Sequence, residues 1–199
     1  MIPPLTSFTV LPEYGRSWTV YDVVPKGESS PVLRLRKESR YDSQQPFHAF
    51  TGPGLDQLDG YVTVGAAMGA DRVKHGTVGH RNGSALRSEE WSFAQAGLPV
   101  LEGEPAGASA LRHSFPLRAV LANGIADSAL SFRLRYRGPG SAGFEFTRLA
   151  GARARYTVEV HDDRLSRLLV LAAVLRHSVF SDSDVRQYRV DLTTNPLKG

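Results

Sequence analysis

A chain of 199 residues, 41% hydrophobic and 22% charged, can bury one substantial core and is too apolar for wholesale disorder. It contains no cysteine, which excludes a disulfide scaffold, a thiolate nucleophile and thiolate zinc sites, and fits a reducing, cytoplasmic setting. The formal net charge of +4 permits weak attraction to an anionic surface without demanding one.

The opening Met1-Ile2-Pro3-Pro4-Leu5-Thr6-Ser7 has neither the basic nor the apolar run of a secretory signal. Period-2 alternation then recurs along the chain. Strands are predicted near Phe8, over 18–24 and over 32–37, the last two joined by the turn cluster Pro25-Lys26-Gly27-Glu28-Ser29-Ser30. The polar, glycine-rich stretch 41–60 reads as a loop. Strands follow at 61–64 and 72–79, the second interrupted by Gly76 and suited to a bulge. Two more, 90–95 and 98–102, flank a tight Ala96-Gly97, and 103–110 reads as a connection. With 115–121, 130–137, 143–149, 153–160 and 185–192 the count reaches about twelve, regularly spaced as in a sandwich or barrel.

One segment breaks the pattern. Leu168-Leu169-Val170-Leu171-Ala172-Ala173-Val174-Leu175 would be apolar on every face as a helix, and such a helix has to be surrounded. It is far shorter than the roughly 20 apolar residues that span a bilayer. A closed sheet wrapped around a helix over about 163–180 is the simplest arrangement. Asp162 or Asp163 is expected to cap its start, and Arg176 and His177 suit the negative end of its dipole. Arg164 and Arg167 oppose the dipole in the first turn and read as solvated charge or as groups at the barrel mouth.

The run Phe144-Glu145-Phe146-Thr147-Arg148, then Gly151, Arg153-Ala154 and Tyr156-Thr157-Val158-Glu159-Val160, then Asp162, Arg164-Leu165 and the apolar helix, resembles the end of the tubby C-terminal-like superfamily. That group includes the LURP-one-related proteins and the phospholipid scramblases. Tyr21-Asp22 and Trp91-Ser92-Phe93 are similar to earlier parts of the pattern, so the resemblance runs from about Trp18 to Phe180. It implies a twelve-stranded barrel closed around a C-terminal helix; tubby proteins bind phosphoinositide headgroups through basic residues on the barrel surface, a pocket that does not map residue by residue onto this sequence. This chain runs on for nineteen residues past Phe180 and lacks the cysteine-rich, proline-rich and anchoring segments of eukaryotic scramblases, so lipid flipping is not expected.

Catalytic and metal chemistry find little support in the residue pattern. The six histidines, His48, His75, His80, His113, His161 and His177, are scattered. His75 and His80 lie an odd number of residues apart on one strand, and sharing a metal would need a bulge between them. His161-Asp162-Asp163 reads as helix capping. Asp182 and Asp184 lack the glycine and distal glutamate of a calcium loop. No serine sits in a nucleophile elbow, and the glycine pairs Gly52/Gly54 and Gly65/Gly69 lack the context of a phosphate-cradling loop. No cofactor and no metal are expected.

Arginine rows are the surface feature that suggests binding. In Phe132-Arg133-Leu134-Arg135-Tyr136-Arg137, alternation places Arg133, Arg135 and Arg137 outside. Leu33-Arg34-Leu35-Arg36 repeats the scheme, and Arg148, Arg153 and Arg155 lie near the next hairpin. If these strands adjoin, the barrel carries a basic wall of Arg133, Arg135, Arg137, Arg34, Arg36, Arg148 and Arg153, able to dock peripherally on anionic phospholipid at about 1 kcal/mol per arginine. Nucleic acid is not expected, because no aromatic platform interleaves with the arginines. The reading is thus one all-β domain over 1–199, non-enzymatic and cytoplasmic, that binds anionic headgroups. The alternative is a protein-interaction scaffold that meets its partner through loops such as 41–60.

Overall fold

Inner and outer residues alternate along nearly every strand, and this is what lets the sheet close on itself. The computed structural model describes residues 5–39, 45–81, 89–106, 132–149 and 154–178. Twelve strands lie within them: β1 (Ser7–Tyr14), β2 (Thr19–Pro25), β3 (Leu33–Lys37), β4 (Phe47–Thr51), β5 (Gln57–Val62), β6 (Ala66–Gly69), β7 (Lys74–Arg81), β8 (Glu90–Gln95), β9 (Leu101–Pro105), β10 (Phe132–Gly138), β11 (Ser141–Arg148) and β12 (Tyr156–Val160). Each pairs antiparallel with its neighbours in sequence, and β12 returns to β1, so the barrel is closed. Closure removes the exposed edges that an open sheet would leave.

The barrel interior is filled by one helix, α1, over 167–178. None of residues 168–175 is more than 4% exposed, as an all-round apolar helix demands. Leu33 and Leu35 of β3, Phe93 of β8, Leu134 and Tyr136 of β10, and Phe144 and Phe146 of β11 belong to the same buried core. Where the leucines come closest the wall is bare: a Cβ on Gly60 of β5 would lie 2.7 Å from Leu168 Cδ1.

Several expectations shift, each for a local reason. The helix starts at 167 rather than 163, because Ser166 is its cap: the Ser166 carbonyl accepts Val170 N–H at 3.0 Å, and its hydroxyl oxygen accepts Leu169 N–H at 3.4 Å. Gln95 holds this turn from β8, accepting Ser166 N–H and donating to the Arg164 carbonyl, both at 2.8 Å. His75 Nδ1 lies 2.6 Å from Ser166 Oγ. The expected bulge is present: Ala67 faces Gly76 and Met68 faces Lys74, leaving His75 as the extra residue, turned toward the helix start.

β4 lies inside the expected loop 41–60, and β6 was not foreseen. Their inward residues include Ala49 and Thr51 in the first and Ala67 and Gly69 in the second, too small or polar to display a hydrophobic alternation. β9 starts at Leu101 rather than 98, since Gly97 at φ +79 extends the turn. The strands expected at 115–121 and 185–192, helix residues 179–180, and Asp182 and Asp184 lie outside the described residues. At the C-terminal end of α1, His177 is 5% exposed. Its ring stacks on Phe132 at 4.4 Å between centroids and meets Phe146 edge-on at 5.3 Å.

Candidate functional site

Strand alternation does place Arg133, Arg135 and Arg137 on the outer face of β10, but register decides what they meet there. Arg135 stands opposite Glu145 of β11. Arg135 Nε donates to Glu145 Oε2 at 2.7 Å, and Arg133 Nη2 donates to Oε1. The two guanidinium groups cover the carboxylate so fully that its side chain is 7% exposed. Burial pushes the Glu145 pKa up, yet hydrogen bonds and charge from Arg133 and Arg135 outweigh it and hold the carboxyl below its ordinary range.

The other expected arginines do not extend this row. β3 is separated from β10 by β2, β1, β12 and β11 around the ring, so the two arginine-bearing strands lie on different sides of the barrel. Arg34 grips Asp22 with a two-pronged contact, Nε to Oδ1 at 2.6 Å and Nη2 to Oδ2 at 2.9 Å. Arg36 Nε donates to Glu38 at 2.8 Å. Arg148 shares the inward parity of Phe144 and Phe146 and is 4% exposed, so it cannot belong to an outer face. Arg153 lies outside the described residues. A continuous basic wall does not form among the described residues, because period 2 fixes a face and not the partners on it.

What β10–β12 do build is an open depression of about 550 Å³, lined by Arg135, Arg137, Ser141, Glu145 and His161 among others. Its cause is a break in register. Tyr136 faces Phe144 and Gly138 faces Ser141, so Ala142 and Gly143 together stand against the single Arg137. Gly143 takes φ +67, where an added Cβ would lie 1.8 Å from the Tyr136 carbonyl oxygen; glycine is required for this bulge.

A polar network fixes one wall of the depression. The Ser141 hydroxyl donates to Asp162 Oδ2 at 2.5 Å. Arg164 adds its backbone N–H at 3.1 Å, Nε at 2.9 Å and Nη2 at 2.6 Å to the same carboxylate, and Nη2 also donates to the Gly140 carbonyl at 2.7 Å. Arg164, then Ser141, hold the Asp162 carboxyl well below the usual carboxylate range. Asp162 therefore ties the β10–β11 hairpin to the chain entering α1 and does not cap the helix. Arg164 precedes the helix, which relieves its conflict with the dipole.

His161 is the lining residue that β12 supplies, and its neighbour on that strand was not anticipated. Glu159 of β12 stands directly across from Glu145, and His161 follows two residues on. Their ligand atoms lie within 4.8 Å of one another. A metal there would compete with two guanidinium groups for Glu145. The available signal was Glu159-x-His161 in phase with an alternating strand, but only the β11–β12 register links that pair to Glu145. His75 and His80 do not meet: His75 serves the helix start, and His80 stacks on Trp91 at 3.8 Å between centroids. Comparison with family models, with curated proteins and with solved structures finds no match to this chain.

Proposed function

We propose that the protein is a non-enzymatic binding module that meets a phospholipid surface by taking one phosphate-bearing headgroup into the β10–β12 depression, with Arg137 as its anion-binding residue. One observation carries this reading. Arg133, Arg135, Arg34 and Arg36 are each held by a carboxylate, whereas exposed Arg137 forms no ion pair among the described residues and lines a concave site. A guanidinium offers phosphate a planar fork of donors, and the glycine bulge opposite Arg137 shapes the concave surface that it lines. The resemblance to tubby-like domains supports a headgroup as ligand. Ser141 gives its hydroxyl hydrogen to Asp162, whose carboxylate Arg164 also engages, so this network holds the wall of the depression in place. No helix among the described residues is long and apolar enough to cross a membrane; the contact proposed is peripheral.

Flotation with vesicles of phosphatidylglycerol and phosphatidylethanolamine tests it. Arg137→Gln should weaken binding about fivefold, the equivalent of about 1 kcal/mol for one arginine at the surface. The double variant Arg34→Gln/Arg36→Gln should bind as wild type. Equal binding by Arg137→Gln and wild type would remove the site. A second reading, a protein-interaction scaffold, is favoured by the carboxylates Glu102 and Glu104 that face Arg137 and Arg135 from β9, a mixed pattern that suits a protein partner. It stands if wild type binds no vesicle.

A further inference from the structure

Two free charges of opposite sign flank the depression, one in its lining and one beside the lining residues Glu145 and His161. Arg137 on β10 is the cation. Glu159 on β12 is the anion: it is exposed, and no ion pair or side-chain hydrogen bond engages it among the described residues. Between them on β11, Glu145 is already matched by Arg133 and Arg135, so it screens neither charge. Two ladder steps separate β10 from β12, about 10 Å across, and Arg137 lies two residues beyond the row of Arg135, Glu145 and Glu159, so the two charges stand on a diagonal of about 12 Å.

We infer that the headgroup taken here is zwitterionic, with its phosphate on Arg137 and a primary ammonium on Glu159: a phosphoethanolamine headgroup. The inference rests on the reading of the depression as a headgroup site. Discrimination follows from the acceptors. A primary ammonium has three N–H donors, and the Glu159 side offers carboxylate oxygens and, in one tautomer, a ring nitrogen of His161. A quaternary ammonium has no N–H and is held by aromatic faces; among the described residues no Phe, Tyr or Trp lines the depression. A phosphoglycerol headgroup would leave Glu159 facing a net anion with no cation to meet it.

The test compares vesicles of phosphatidylcholine alone with vesicles containing equal fractions of phosphatidylethanolamine or phosphatidylglycerol, using wild type, Glu159→Gln and Arg137→Gln. Wild type should prefer phosphatidylethanolamine about fivefold over either other lipid. Glu159→Gln should erase that preference and raise phosphatidylglycerol binding, while Arg137→Gln should weaken binding to all. Both side chains are exposed, so unchanged melting curves are expected and serve as the folding control. Stronger wild-type binding to phosphatidylglycerol that still depends on Arg137 would overturn the zwitterion inference and leave the headgroup site standing. No vesicle binding by wild type would overturn both. Soluble glycerophosphoethanolamine should compete with the vesicles; its binding without any vesicle binding would place the ligand in solution and overturn docking on a membrane.

Discussion

Leu169 of the central helix occupies the space that a side chain at Gly76 would need: a Cβ built on Gly76 lies 2.6 Å from Leu169 Cδ2 and 2.1 Å from the Ala94 carbonyl oxygen. The leucine could rotate, but the carbonyl belongs to the β7–β8 ladder and cannot yield without loss of pairing. Gly76→Ala should therefore cost about 1–3 kcal/mol as an overpacked core position, read from the urea midpoint. A wild-type midpoint would mean that the helix is not seated against β7.

Leu171 tests the helix from its other side. It is 1% exposed, so Leu171→Ala should cost about 2–5 kcal/mol. Leu171→Asp should fail to fold, because an unpaired carboxylate would sit inside the barrel. A soluble Leu171→Asp protein with an unchanged melting curve would contradict a central helix.

The helix cap is separable from its packing. Ser166→Ala removes the acceptor for Leu169 N–H and the partner of His75, and should cost about 0.5–2 kcal/mol. Ser166→Asp keeps an acceptor oxygen at the cap and should lose less. Equal thermal shifts for the two variants would argue against capping by this side chain.

Asp162 sets part of the acid limb. Its folded pKa is depressed by Arg164 and Ser141, so its stabilising contribution is fully present above the unfolded carboxyl value of about 3.9. That contribution is lost as pH falls through the folded value. Asp162→Asn should lower stability at neutral pH by about 1.5–3 kcal/mol, the range for hydrogen bonds to a charged group, and flatten the decline below about pH 4. A variant that loses stability with acid as steeply as wild type would show that the carboxylate is not coupled to folding.

The arginines of β10 are not interchangeable. Replacing Arg137 with glutamine should leave stability within about 0.5 kcal/mol. Arg133→Gln/Arg135→Gln strips both partners from the covered Glu145 carboxylate and should cost several-fold more, since an uncompensated charge remains. Adding Glu145→Gln to that pair should recover part of the loss. Additive melting shifts across this cycle would show that the three side chains do not act together.

Much of the architecture was legible because it rests on periods that a sequence displays. Eight apolar residues in a row demand enclosure, and strands such as 132–137 show inside and outside by turns. The count of about twelve agrees with the described strands only in total: β4 and β6 were unread, while two expected strands fall outside the described residues. Small inward residues such as Ala67 and Gly69 explain the omission. On the strands either side of β6, Gly60 and Gly76 leave room for Leu168 and Leu169 of the helix, and a contact of that kind leaves no local signature.

The chain by itself therefore determined a buried helix, the inner and outer faces of its clearest strands, and the outward arginines of β10. Tertiary structure decided which charges those arginines meet, that β3 lies far from β10 around the ring, that Arg148 points inward, and that Glu159 and His161 join Glu145 across β11. The physical reason is range. Side-chain direction follows from backbone geometry two residues at a time, whereas charge pairing depends on register between strands whose neighbours are settled only when β12 closes on β1.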